Sequence, residues 1–176
     1  MDNILVVFYT YTGVSRRAAQ LLATHRGWPV GEVWDADPRA GLLGGLRCIF
    51  DSLFQRRPAI RYEGPDPAGF QTVIIISPIW AYRMAGPMRS FLAENAPKLP
   101  RFAVVTLMNA AGATNAVKEA EQLVGRRAIS TLDLLSRDFK DGSATARLLQ
   151  FGEAVDQHSS NSSKRDLTQA GDTVHA

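Results

Sequence analysis

Five short apolar segments, separated by polar or small residues, recur along the chain. The segments at residues 4–8 and 73–76 are continuously apolar, which is typical of strands that are buried on both faces of a sheet. Segments of similar strand-like composition lie at residues 30–34, 102–108 and 128–135. The pattern of hydrophobic positions therefore predicts five strands.

Segments with apolar residues at helical spacing lie between and after these strands. They cover residues 15–26, 41–54, 87–95, 114–124 and 143–155. Strands that alternate with helices form a parallel sheet that is covered by helices on both faces. The sequence therefore predicts an α/β fold with a three-layer, doubly wound sheet of five parallel strands. For a chain of this size the expected strand order is 2-1-3-4-5.

A change in composition near residue 157 marks the end of the predicted domain. The chain has 176 residues, of which 45% are hydrophobic, and this is enough for one domain with a substantial core. From Gln157 onward Ser, Asn, Gln and Thr predominate, so that little apolar surface is available to bury. We therefore expect one domain over residues 1–156 and a disordered polar tail over residues 157–176.

Charge and cysteine content exclude several classes of protein. The chain has 20 basic and 17 acidic residues, and the excess is spread along the sequence, so that nucleic-acid binding is not expected. With a single cysteine and three scattered histidines, neither a disulfide nor a metal site is expected. The apolar runs are too short for a membrane span and no leader is recognised, which predicts a cytoplasmic protein.

The loop after the first strand carries three hydroxyl side chains. It consists of Thr10, Tyr11, Thr12, Gly13, Val14 and Ser15, and it opens the first helix. The N–H groups and the dipole of a helix N-terminus favour a phosphate, and a glycine lets the backbone come close to the anion. An ordinary turn in which Thr12 or Ser15 caps the helix explains the same residues equally well.

The loop after the third strand is rich in aromatic residues. It includes Pro78, Ile79, Trp80, Ala81, Tyr82 and Arg83. A Trp and a Tyr two residues apart, just past the most apolar strand, favour a flat ring system as their partner. The alternative is that Trp80 only covers the end of the sheet.

The loop after the fourth strand is built from small residues. It consists of Asn109, Ala110, Ala111 and Gly112. Exposed backbone amides in such a loop suit the polar edge of a heterocycle, although a plain turn is an equally good interpretation. In an open α/β sheet, ligands bind beyond the carboxyl ends of the strands at the switch point, where these three loops are expected to meet.

The three loop regions contain basic residues but no acidic ones. Residues 9–17, 77–90 and 106–118 hold five cations and no Asp or Glu; the cations are Arg16, Arg17, Arg83, Arg89 and Lys118. Hydroxyls, amides and cations without carboxylates are typical of an anion site. Neither a dinucleotide-binding glycine pattern nor a P-loop follows the first strand, and the acidic residues of a receiver domain are missing as well.

These loops together resemble those of the flavodoxin family. The pattern of Thr10, Thr12, Gly13 and Ser15 resembles the family's FMN-phosphate loop. The stretch from residue 77 to 89 resembles the loop around the isoalloxazine ring, and residues 109–112 resemble the loop at the pyrimidine edge. The resemblance covers about residues 3–155, and it implies the flavodoxin-like fold and one FMN as cofactor.

The resemblance also implies roles for individual residues. Thr10, Thr12 and Ser15 would contact the phosphate through their hydroxyls, and the amides of residues 11–14 would do the same. Trp80 and Tyr82 are candidates to stack on the flavin. Asn109 and Gly112 are candidates to bind its polar edge.

Three functions are compatible with this pattern. The first is an FMN oxidoreductase that passes electrons from NAD(P)H to a quinone or similar small acceptor, since cationic loops suit an anionic nicotinamide cofactor. The second is a one-electron carrier between redox proteins, although carriers of the flavodoxin family are typically acidic. The third is a binding module without flavin. The helix over residues 41–54, with Phe50 and Phe54, either lines a homodimer interface or belongs to the core.

Overall fold

A mostly parallel β-sheet lies at the centre of the protein. The computed structural model describes residues 4–36, 51, 54 and 56–172, with side chains as far as residue 161. The strands are β1 (Ile4–Tyr9), β2 (Val30–Asp35), β3 (Ile60–Glu63), β4 (Thr72–Trp80), β5 (Arg83–Met84), β6 (Phe102–Met108) and β7 (Thr131–Leu135). The α-helices are α1 (Val14–Arg26), α2 (Gly86–Asn95), α3 (Ala113–Val124) and α4 (Ser143–Asp172).

The parallel part of the sheet has the order β2-β1-β4-β6-β7. When the five parallel strands alone are numbered along the chain, this order is 2-1-3-4-5, as predicted. The prediction of an α/β fold is confirmed. Two antiparallel strands were not predicted: β3 extends the sheet beside β2, and β5 pairs with the end of β4. They are four and two residues long, too short to give a clear alternation of apolar and polar positions.

The core lies on both faces of this sheet. In β1, Leu5 and Val7 belong to the cluster that includes residues of α2 and α3, whereas Ile4 and Val6 belong to the cluster formed with α1 and α4. All four side chains are fully buried. Because successive residues of a strand point to opposite faces, burial on both faces requires the continuously apolar segments seen in the sequence.

The last helix, α4, is longer than predicted, since it continues to Asp172 instead of ending near residue 155. The structure thereby differs from the expectation of a disordered tail from residue 157. Ser159 is buried, and its hydroxyl lies 3.4 Å from that of Thr72 in β4. No Gly or Pro follows Gly152 until Gly171, and polar side chains lower helix propensity without ending a helix. Among the described residues, no helix combines the length and apolarity needed to cross a membrane.

The helix predicted over residues 41–54 lies outside the described residues, apart from Asp51 and Phe54. Of its two aromatic residues, which would either line an interface or belong to the core, Phe54 is exposed and Phe50 is not described. The homodimer therefore stays a prediction.

Gly31 in β2 leaves room for the ring of Tyr62 on β3. A Cβ atom at Gly31 would lie 2.6 Å from two carbons of that ring. The Tyr62 ring packs against Phe91 of α2, with centroids 5.1 Å apart, and its hydroxyl donates a hydrogen bond of 2.8 Å to the carbonyl of Pro65. Burial, helped by the charge of Asp66, raises the pKa of Tyr62 to about 12.

Gly31→Ala is expected to lower the free energy of unfolding by about 1–3 kcal/mol, because overpacking forces the neighbouring ring to move. The matched control is Gly69→Ala, where a Cβ would meet nothing within 4 Å, and a change within about 0.5 kcal/mol is expected. Urea denaturation of both variants measures the difference. Equal losses would show that the Tyr62 ring does not depend on this glycine.

Candidate functional site

The carboxyl ends of β1, β4, β6 and β7 surround a cavity of about 160 Å³. All three predicted loops line it: Tyr11, Thr12, Val14 and Ser15 from the first, Pro78, Ile79 and Trp80 from the second, and Asn109 from the third. Leu107, Met108 and Ser136 complete the wall. The structure therefore brings the loops together at the edge of the sheet where the strand order places the switch point.

A second cavity, of about 560 Å³, lies beside the first at the carboxyl ends of β1 and β2. Tyr11 lines both cavities. The larger one is otherwise formed by β2 and β3 residues such as Trp34, Asp35 and Arg61, together with Tyr9 and Thr10. Since it contains residues of only the first loop, the smaller cavity is the better candidate for the site predicted from the sequence.

The first loop makes a tight turn into α1. Its Thr10 Oγ1 accepts a hydrogen bond of 2.9 Å from the amide of Gly13, so that this hydroxyl stabilises the turn. Gly13 has φ 89°, in the left-handed region that favours glycine. In the described part of the chain, no side chain caps α1 and its first turn holds no acidic residue. Capping by Thr12 or Ser15 is thus not observed, and the helix end can accept an anion.

The second loop is a β-hairpin in the structure. Trp80 pairs with Arg83 across β4 and β5, so that Ala81 and Tyr82 form a two-residue turn with φ values of 47° and 62°. Turns of this kind usually contain Gly or Asn, and non-glycine residues in this conformation often occur at functional sites. The Tyr82 side chain is 62% exposed, whereas Ala81 and Arg83 are half-buried. The hairpin therefore presents an aromatic ring to solvent.

Trp80 is held by two aromatic neighbours. Its ring meets those of Tyr9 and Tyr11 edge to face, with centroids 5.9 and 5.7 Å away. The hydroxyl of Tyr9 donates a hydrogen bond of 2.7 Å to Oδ2 of Asp35 at the end of β2. Trp80 thus does pack at the end of the sheet, and from that position it also lines the smaller cavity.

The third loop contacts the hairpin directly. Gly112 has φ 117°, and a Cβ atom there would lie 2.7 Å from the Cα of Tyr82 and 2.8 Å from Cγ2 of Ile79. Asn109, Ala110 and Ala111 are exposed. This loop can therefore approach the hairpin so closely only because residue 112 has no side chain.

Ser136 belongs to the site although the sequence did not single it out. It follows β7, and its hydroxyl donates a hydrogen bond of 2.6 Å to Oδ1 of Asn109. Its position directly after the fifth parallel strand is the signal that the sequence offers for it.

The cations of the loop regions are more strongly paired than the sequence suggested. Arg16 forms an ion pair with Glu32 of β2, and Arg89 forms a buried one with Glu119 of α3. Lys118 lines a separate surface hollow near the end of α3. The sequence predicted cations without carboxylates around the site, and this is wrong for Arg16 and Arg89. Their carboxylate partners lie outside the three loop regions in the sequence but contact these arginines in the folded protein.

No protein-family model matches the sequence, and no curated protein matches it either. Solved structures do match. A flavoprotein from Lactobacillus acidophilus in complex with FMN is 15% identical, with a TM-score of 0.67 over 81% of this chain and 99% of that chain. A WrbA-like flavodoxin from Agrobacterium tumefaciens is 15% identical, with a TM-score of 0.57 over 90% of this chain and 99% of that chain.

A flavodoxin from Fusobacterium nucleatum bound to FMN is similar as well. It is 9% identical and has a TM-score of 0.55, with 90% of this chain and 99% of that chain covered. At such low identity these likenesses concern the backbone architecture. The chain therefore has the flavodoxin-like fold, as the resemblance of its three loops predicted.

Proposed function

We propose that the protein binds one FMN non-covalently and passes electrons from NAD(P)H to a quinone or similar small acceptor. The observation that carries this proposal is the meeting of an uncapped, acid-free helix N-terminus with an aromatic hairpin at one cavity. A phosphate and a flat ring system are the two chemical groups that these features favour. The likeness to two structures that contain FMN supports the same cofactor.

The first loop would hold the phosphate. The side chains of Thr12 and Ser15 line the cavity at the start of α1, where backbone N–H groups lack partners within the helix. Thr10 fits this role less well, since its hydroxyl already accepts a hydrogen bond within the turn. Its part is to shape the loop, together with the left-handed conformation of Gly13.

The other two loops would hold the ring. Trp80 and Asn109 line the cavity, while the exposed Tyr82 stands next to Gly112. The cavity of about 160 Å³ is smaller than usual ligand pockets of about 300–1,000 Å³, so that part of the cofactor would lie outside it. FMN supplies the electron-accepting ring, and these residues would bind and orient it.

Positive charge near the hairpin favours an anionic electron donor. Arg83 lies at the start of β5, and Arg17 is exposed on the first turns of α1. The described first turns of α1, α2 and α3 hold no acidic residue. An anionic nicotinamide cofactor would therefore meet no carboxylate from these first helical turns.

The test begins with titration of the purified protein with FMN, for which saturation at one FMN per chain is expected. Oxidation of NADH and NADPH by the FMN-loaded protein is then followed with and without a quinone. We expect oxidation that depends on FMN and is accelerated by the quinone. Failure to bind FMN would refute the proposal. FMN binding without NAD(P)H oxidation would refute the enzymatic part and favour a one-electron carrier.

A further inference from the structure

A buried ion pair lies behind the aromatic hairpin. Arg89 of α2 and Glu119 of α3 contact each other, and their side chains are only 2% and 7% exposed. Removing two charges from water is costly, and apolar side chains of similar volume often stabilise a protein as well as such a pair. The presence of this buried pair is therefore better explained by the hydrogen bonds that it makes to other groups than by packing alone.

Both backbone polar groups of Met84 in β5 are hydrogen-bonded to this ion pair. The amide of Met84 donates to Oε2 of Glu119 at 3.4 Å, and its carbonyl accepts from Nη2 of Arg89 at 2.9 Å. Met84 is fully buried, so that these groups have no access to water. Leaving them without partners would carry a desolvation penalty.

The register of the hairpin explains why Met84 needs outside partners. Met84 stands opposite Ile79 in this hairpin. On one side of Met84, Arg83 pairs with Trp80 next to the turn. On the other side, the amide of Ala85 donates to the carbonyl of Pro78 at 3.2 Å. In an antiparallel pair, every second residue directs its N–H and C=O groups away from the partner strand. The Arg89–Glu119 pair therefore takes the place of a further strand at the outer edge of β5.

The same ion pair also links the hairpin to the segment before β3 and to α3. Nη1 of Arg89 donates to the carbonyl oxygens of Asp51 and Arg56, at 3.1 and 3.0 Å, in the segment that precedes β3. Glu119 belongs to α3, which begins directly after Gly112 of the third loop. One charged pair thus connects the hairpin to the third loop and to the segment before β3.

We propose that Arg89 and Glu119 are positioning residues that hold the hairpin in a preformed arrangement for the flavin ring. The strained turn at Ala81 and Tyr82 needs such an anchor, because residues in this conformation persist only when their surroundings fix them. A preorganised site binds more tightly, since less freedom is lost on binding. The role assigned to the flavin rests on the proposed function, whereas the anchoring of the hairpin does not.

The first test measures the anchoring without any ligand. Arg89→Met together with Glu119→Leu replaces the pair by apolar side chains and leaves no lone buried charge, so that the protein is expected to fold. Hydrogen exchange of the Met84 amide should become at least about tenfold faster, while amides of β6 keep their protection. The control is Glu94→Gln, on the exposed side of α2. Unchanged exchange at Met84 would overturn the proposal.

If this double variant does not fold, Glu119→Gln serves in its place. It removes the negative charge and replaces one of the two acceptor oxygens by an N–H donor, so that Nε of Arg89 and the amide of Met84 no longer both find an acceptor. Faster exchange at Met84 than in β6 is then the expected result. Exchange that rises equally in both places would show a general loss of stability and would contradict a specific anchor.

The second test uses double-mutant cycles with FMN as ligand. The apolar replacement of the pair should weaken FMN binding at least about tenfold and should remove most of the effect of Tyr82→Ala, because the ring is no longer held in place. It should leave the effect of Thr12→Ala intact, since that residue lies in the first loop. Additive effects in both cycles would overturn the positioning role. If the unmodified protein binds no FMN, the proposed function fails, and exchange at Met84 still decides the anchoring.

Discussion

Replacing Thr12 and Ser15 together by alanine is expected to weaken FMN binding at least about tenfold and to leave riboflavin binding nearly unchanged. Both residues line the cavity at the start of α1. A hydrogen bond to a charged group contributes about 1.5–3 kcal/mol, and riboflavin lacks the phosphate that would accept it. The effect should therefore appear for the phosphorylated ligand alone.

Titration by quenching of flavin fluorescence, with both ligands at one salt concentration, measures this effect. The matched control is Thr114→Ala, an exposed hydroxyl in the first turn of α3 outside the lining of the cavity. It should change neither dissociation constant. An equal loss for FMN and riboflavin in the double variant would show that the first loop does not contact the phosphate.

Gly112→Ala is expected to lower the free energy of unfolding by about 2–5 kcal/mol, because it adds a steric clash to a strained backbone. The new Cβ atom would lie 2.7 Å from the Cα of Tyr82, and this backbone atom cannot turn aside as a flexible side chain could. The hairpin must shift away from the third loop to make room. We therefore expect FMN binding to be weakened as well.

The control for this prediction lies at the other end of the same helix. Gly125 also has a positive φ, 74°, but a Cβ there would meet nothing within 4 Å. Gly125→Ala should cost only the backbone strain, about 1–2 kcal/mol, and leave FMN affinity unchanged. Urea denaturation and flavin titration of both variants separate strain from clash. Equal effects would mean that the two loops do not need their close contact.

The parallel sheet and its order could be predicted from the sequence because their causes are local. Strands buried on both faces must be continuously apolar, as β1 and β4 are, and helices between parallel strands show their own spacing. Once these elements alternate, few topologies remain, and the position of the site at the switch point follows. The three loops that line the cavity were found in this way.

Details of the site could be predicted only in part. The first loop lines the cavity, but the hydroxyl of Thr10 accepts a hydrogen bond within the turn. The second loop is a hairpin, which the sequence concealed because its turn contains Ala81 and Tyr82 instead of the usual Gly or Asn. Ser136 was missed because only three strand ends were read.

Pairings between distant residues were decided by the tertiary structure alone. Arg89 and Glu119 are 30 positions apart and become partners because α2 and α3 pack side by side. In the sequence Arg89 counted as a cation of the binding loops, yet in the structure its charge is buried against Glu119 and its Nη2 donates to the carbonyl of Met84. Periodicity reports which face of an element is buried, but the partner of a buried charge depends on how whole elements come together, and no local pattern contains that information.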